Sequence, residues 1–112
     1  MIKIYVDADA CPVKDEVIKV ANRHAIKVFM VSDGGIRPYQ SSLVNLIIVT
    51  QGADAADDWI VEHVEAEGIV ITSDIPLAAR CLEKGAKAIK PNGTLFTHNS
   101  IGNALATRNL MQ

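Results

Sequence analysis

The chain is poor in cysteine and aromatic residues. It has two cysteines, Cys11 and Cys81, in 112 residues. With no CxxC and no local partner, that pair suggests neither a zinc site nor a disulfide framework. Aromatic residues make up 4%. No apolar run approaches the roughly 18 residues that a membrane span needs. The first residues follow a strand pattern and not a basic segment before a long apolar one. No repeat or low-complexity segment occurs. What these absences leave is a soluble, cytoplasmic chain with one domain over residues 1–112, hydrophobic at 49% and able to bury one core.

Net charge is −2, and its distribution says more than its value. Residues 1–74 carry six Lys/Arg against twelve Asp/Glu, and residues 75–112 carry five against one. Acids upstream and bases downstream suit a cation site beside a surface that meets phosphate, although solvated helix faces give the same count.

The chain is organised around Ile2 to Pro12, IKIYVDADACP. An apolar run of strand character ends at Asp7 and Asp9, and Pro12 is suited to the first turn of a helix. Val13, Val17, Val20 and Ala21 recur at helical spacing, predicting a helix from Pro12 to His24. Val28 to Val31 reads as a strand closed by Ser32-Asp33-Gly34-Gly35, and 36–42 as irregular. Leu46 to Thr50 has the continuous apolar character of a parallel strand covered on both faces. A helix follows from Asp54, then a strand from Ile69 to Thr72 and a helix that stops at Gly85. Lys87 to Lys90 predicts a short fifth strand, Pro91-Asn92-Gly93 a turn, Leu95-Phe96 a brief extended piece, and Ser100 to Met111 a final helix capped by Asn99 or Ser100. Alternating strands and helices predict a three-layer α/β/α fold with a mostly parallel sheet of four to five strands.

Three strands end at acids: Asp7 and Asp9, then Asp54, Asp57 and Asp58, then Asp74. A parallel sheet brings such ends to one edge, where ligands gather. Carboxylates so close repel unless a divalent cation binds, and oxygen-only ligands suit Mg²⁺ or Mn²⁺. Ile60, Val61 and Val64 lie three, four and seven positions after Asp57, which places Asp57 on the inward face and Asp58 on the rim. Each acid also has a structural reading. Asp54 with Asp57 resembles a capping pair, Asp74 suits an N-cap before Ile75-Pro76, and Asp9 could cap the helix that Pro12 opens. Asp7 and Asp57 are hardest to explain as caps.

Weaker candidates for contact with substrate phosphate are Lys14, Arg37, Thr72, Ser73 and Arg80. Thr72 and Ser73 could equally bond the turn backbone. Cys11 has no histidine nearby in sequence to act as base, and both cysteines read as small buried thiols. His24, His63 and His98 form no ligand spacing, and Trp59 reads as packed on the sheet.

The blocks YVDADACPVK, ADDWIV, ITSDIPLAARCLEKGA, PNG and NSIGNALATR closely resemble the YaiI/YqxD family of bacterial proteins, through nearly the whole chain. That family is similar to the PIN-like superfamily of nucleases. The resemblance implies a PIN-like (Rossmann-like) fold and one or two Mg²⁺ or Mn²⁺ ions activating water against a phosphodiester of RNA or DNA. The matching positions are Asp7, Asp57 (or its neighbour Asp58) and Asp74, with Asp9 and Asp54 as extra acids. The chain departs from the superfamily in two respects. Glu83, the only acid after Asp74, is no counterpart of the usual downstream acid, and relatives commonly continue past Arg108 with polar sequence that would extend the nucleic-acid surface.

Two other readings stand beside the nuclease. Asp7-Ala8-Asp9 imitates the motif of haloacid-dehalogenase-type phosphatases, with Asp7 as nucleophile and Asp9 as acid and base, but the late acids that such enzymes use after a lysine are missing. The acidic pocket could also bind a metal or nucleic acid without turnover. A homodimer is plausible for a domain of this size, with no residue pattern that demonstrates it.

Overall fold

The computed structural model describes residues 2–8, 14–34, 41–50 and 54–102. Its elements run β1 (Lys3–Asp7), α1 (Lys14–His24), β2 (Lys27–Ser32), β3 (Val44–Ile48), α2 (Ala55–His63), β4 (Ile69–Ile71), α3 (Ile75–Glu83) and β5 (Lys87–Ile89). The five strands form one parallel sheet in the order β3-β2-β1-β4-β5. β1 is central. The chain winds outward from it through β2 to β3, then crosses back to β4 on its other side.

The period-two alternation of β1 sorts its side chains between two cores. Ile4 and Val6 join Val28 and Met30 under Val17 and Ala21 of α1. Tyr5 faces the opposite way, with Val31 and Val70, under Ile60 and Val64 of the α2 region and Leu77 and Cys81 of α3. The result is α1 on one face and α2 with α3 on the other, the expected three-layer α/β/α arrangement. Each fully buried aliphatic side chain contributes on the order of 1.5–3 kcal/mol. Tyr5, Phe29 and Trp59 pack together, with Tyr5 stacked on Phe29 at 5.2 Å between ring centroids. Trp59 therefore packs on the sheet as expected, and His63 stacks on it at 3.9 Å. Cys81 is fully buried, and that burial pushes its thiol up to about 11.

Several expectations are corrected in detail. The third strand begins two residues earlier, at Val44, and lies at the sheet edge, only half-buried, instead of being covered on both faces. An apolar run reports affinity for a sheet, and strand order then decides which run is central. Val20, which helical spacing puts on the α1 core stripe, is 49% exposed, beside an open apolar groove shared with Ile69, Ile71 and Ile89. Helix begins at 98, and Thr97 caps it instead of Asn99 or Ser100: Thr97 Oγ1 accepts the Ser100 N–H at 3.0 Å while Ser100 Oγ accepts the Thr97 N–H at 2.9 Å. This is the reciprocal capping-box pattern with serine in the place of glutamate. Leu95 makes an antiparallel bridge to Ile89, as the extended piece required. Pro12, Val13 and the last helix beyond residue 102 lie outside the described residues.

Two helix ends predict opposite responses to substitution. Ala25, directly after α1, and Gly85, one residue past the α3 C-cap Lys84, both adopt positive φ, 53° and 85°. Alanine is strained in that region and glycine is not. Gly85→Ala is expected to destabilise by about 1 kcal/mol and Ala25→Gly to stabilise by up to about 1 kcal/mol, both read as shifts of the urea midpoint at unchanged slope.

Candidate functional site

In an open parallel sheet a crevice forms where strand order reverses, outside the carboxyl ends of the strands. Here that point lies between β1 and β4. Asp7 is the last residue of β1 and is 6% exposed; Thr72 directly follows β4 and is fully buried. Thr72 Oγ1 donates to Asp7 Oδ2 at 3.0 Å and accepts the N–H of Asp74 at 3.0 Å. One hydroxyl thus links the end of the first strand to the loop after the fourth. Its own N–H donates to the Ile89 carbonyl at 3.1 Å, which ties the loop to β5 as well.

Asp74 is the N-cap of α3, its Oδ1 accepting the Leu77 N–H at 2.9 Å, with Pro76 in the first turn. The capping role read from Ser73-Asp74-Ile75-Pro76 is therefore realised. Asp54 differs: it holds the N-cap position of α2 with no side-chain cap bond, so the capping-pair reading fails there.

Asp57 lies in the first turn of α2, half-buried, with Ile60 fully buried three residues on. Burial pushes its carboxyl up to about 6, and the charges of Asp74, Asp7 and Asp54 push the same way, in that order, while Arg80 opposes them. Three acids from β1, the α2 region and the β4–α3 loop thus act electrostatically on the same carboxylate. Asp58 is turned to the rim, exposed, and bridges to Arg80 at 3.0 Å.

Among the described residues, no three His, Cys, Asp or Glu side chains stand close enough together to hold a metal ion. Asp9, Cys11 and Arg37 lie outside the described residues. Lys14 reaches back to the carbonyl of Ala8 at 2.9 Å, joining the start of α1 to the loop after β1. Ser73 is exposed in the β4–α3 loop. Sequence reasoning missed Ser32, which is fully buried at the end of β2 on the same sheet edge. Its hydroxyl donates to the Gly34 carbonyl at 3.0 Å and accepts the Gly34 N–H at 3.1 Å. The Ser-Asp-Gly-Gly run was the signal, read only as a turn.

The family described as "Uncharacterized BCR, YaiI/YqxD family" matches residues 5–112. The chain belongs to the YaiI/YqxD family. A UPF0178 protein of Parvibaculum lavamentivorans is 58% identical over 112 residues, spanning all of this chain and 74% of that protein. One from Rhodopseudomonas palustris is 58% identical over 111 residues, 99% of this chain and 70% of its own. One from Gluconacetobacter diazotrophicus is 54% identical over 112 residues, 100% of this chain and 73% of its own. No solved structure matches the chain. Among the described residues no helix is long and apolar enough to cross a membrane.

Two substitutions test the site's electrostatics. The folded state holds a proton on Asp57 up to about pH 6, whereas the ordinary value is 3.8. The native state therefore binds the extra proton between those limits, and stability falls as pH rises through this window. The full linkage value would approach ~3 kcal/mol, and solvent access reduces it to the order of 1. Asp57→Asn is expected to raise Tm at pH 7.5 by a few degrees, with the gain gone below about pH 4, as read by calorimetric scans across pH. Thr72→Val removes the donor to Asp7 Oδ2 and the acceptor for the Asp74 N–H; it is expected to cost about 1–3 kcal/mol in chemical denaturation, with Thr72→Ser recovering most of it.

Proposed function

We infer that this member of the YaiI/YqxD family is a metal-dependent phosphodiesterase acting on nucleic acid in the cytoplasm, with Asp7, Asp57 and Asp74 as its central residues. The observation that carries this reading is the electrostatic state of Asp57, a half-buried carboxylate raised to about 6 partly by three other acids at the switch point of a parallel sheet. Caps do not need such a neighbour set. Concentrated carboxylates at this position cost stability, and a cation relieves that cost.

The donor set is all oxygen and of one charge, the chemistry that suits Mg²⁺ or Mn²⁺, but its described members stand too far apart in this arrangement to enclose an ion. Asp7, Asp57 and Asp74 would hold it only by drawing closer together than they stand here, with Asp9, Asp54 or Asp58 completing the set. When bound, such an ion supplies Lewis acidity toward a phosphodiester oxygen and a more acidic water. The chain's own residues orient the donors. Thr72 holds Asp7 Oδ2, and the Leu77 N–H fixes the rotamer of Asp74. Arg80 reduces the repulsion on Asp57 while tied to Asp58, so it acts more directly on the acids than on a substrate phosphate. Asp7, the buried end of the central strand, anchors the group. A PIN-like assignment rests on the sequence blocks together with this order of acids along the chain.

Mn²⁺ titration by calorimetry on the wild type and on Asp7→Asn tests the reading, with cleavage of labelled single-stranded RNA and DNA followed in the same samples. Binding and cleavage are expected in the wild type, with at least a 100-fold loss of rate in a folded Asp7→Asn protein. Binding without cleavage would make the domain a non-catalytic metal site, and no binding in the wild type would overturn the reading.

A further inference from the structure

Beside the acids, on the same edge of the sheet, lies an open cleft of about 370 Å³ lined by Ser73, Ile75, Lys90, Pro91, Asn92 and Phe96. One wall is the β4–α3 loop, where Ser73 and Ile75 bracket Asp74 in the chain. The other is the Pro91-Asn92-Gly93 turn that follows β5. Sequence reasoning singled out this turn, and the metal site makes no use of it.

The turn is firmly built. The Lys90 N–H donates to the Thr94 carbonyl at 2.8 Å, the Gly93 N–H to the Lys90 carbonyl at 2.9 Å, and the Thr94 N–H to Asn92 Oδ1 at 2.9 Å. Gly93 supplies the positive φ, 91°, that closes it. The side chain of Lys90 is exposed, and its ammonium sits 5.3 Å from the centroid of the buried Phe96 ring, which holds the charge at the cleft. The other cations assigned to this edge are engaged: Arg80 bridges to Asp58 at 3.0 Å and Lys14 donates to the Ala8 carbonyl at 2.9 Å. Among the described residues no carboxylate forms an ion pair with Lys90.

We propose that this cleft seats one nucleotide of a single-stranded nucleic acid next to the Asp74 loop, with a backbone phosphate on Lys90 and the base against Pro91 and Ile75. This rests on the nucleic-acid reading above and adds a binding residue and a strand state to it. The volume is at the small end of the roughly 300–1,000 Å³ of small-molecule sites, room for one nucleotide, whose base can enter it only when unpaired. A cation beside apolar walls, with no rigid array of donors for a base edge, is the pattern of sequence-tolerant single-strand binding. It also supplies what the acids lack: a positive group one loop away that holds a polyanion against a cluster that would repel it.

The test is fluorescence anisotropy of 5′-labelled single-stranded RNA and DNA decamers with wild type, Lys90→Ala and Lys90→Arg, over a range of salt and with Mn²⁺ present. Lys90→Ala is expected to bind at least tenfold more weakly, with the slope of log K against log salt reduced by about 0.7, the value for one lost phosphate contact on a single strand. Lys90→Arg keeps the charge and is expected within threefold of wild type. A duplex of the same sequence is expected to bind at least tenfold more weakly than the single strand. Lys90→Ala binding within twofold of wild type at an unchanged salt slope, or no binding of any single strand by the wild type, would overturn the proposal. Cleavage followed in the same samples separates the two readings. Single-strand binding that depends on Lys90 without cleavage upholds the cleft and removes the hydrolase, whereas cleavage indifferent to Lys90 does the reverse.

Discussion

A carboxylate buried at the end of a central strand must be hydrogen-bonded, and the bond from Thr72 to Asp7, at 3.0 Å, meets that requirement across the β1–β4 pair. The same hydroxyl takes the N–H of Asp74, and the backbone of Thr72 is held by β5. Three strands and the start of α3 thus depend on one fully buried threonine. Its position follows from the parallel register that sets Val6 beside Ile71, which brings the next residue of each strand to the same edge.

The site is assembled against its own electrostatics. Asp57 stands in the first turn of α2, where the helix dipole favours an acid, yet desolvation and three neighbouring acids raise it to about 6. Hydrophobic burial holds it there, because Ile60 on the same helix and Val64 just past its end are seated under Tyr5, Val31 and Val70. The packing energy of that core is large compared with the order of 1 kcal/mol lost to desolvation and repulsion at Asp57. Strain of this kind, maintained by packing elsewhere, is typical of positions where a fold carries chemistry.

The charge asymmetry of the chain has a spatial counterpart. Acids from the first two-thirds lie along the sheet edge around β1 and β4, and Lys90 from the last third stands one strand further out, directly after β5. The two do not neutralise each other. Arg80 is the base that enters the acid cluster, where it pairs with the rim residue Asp58 and only moderates Asp57.

Much of this could be read from the chain. The period-two alternation of β1, the helical spacing around Asp57 and the punctuation at Gly85 are local signals, and local sterics and burial are sufficient to produce them. They determined four to five strands, the helices α1, α2 and α3, the sharing of one sheet edge by the acids, and the inward and outward facing of Asp57 and Asp58. What remained undetermined was what depends on neighbours distant in sequence. Only tertiary structure placed β3 at the edge, exposed Val20, left Asp54 without a capping bond, made Thr72 the link between Asp7 and Asp74, and put Lys90 over Phe96. Strand order and side-chain partnership are set by competition among whole elements for one core, and no local pattern carries the outcome of that competition.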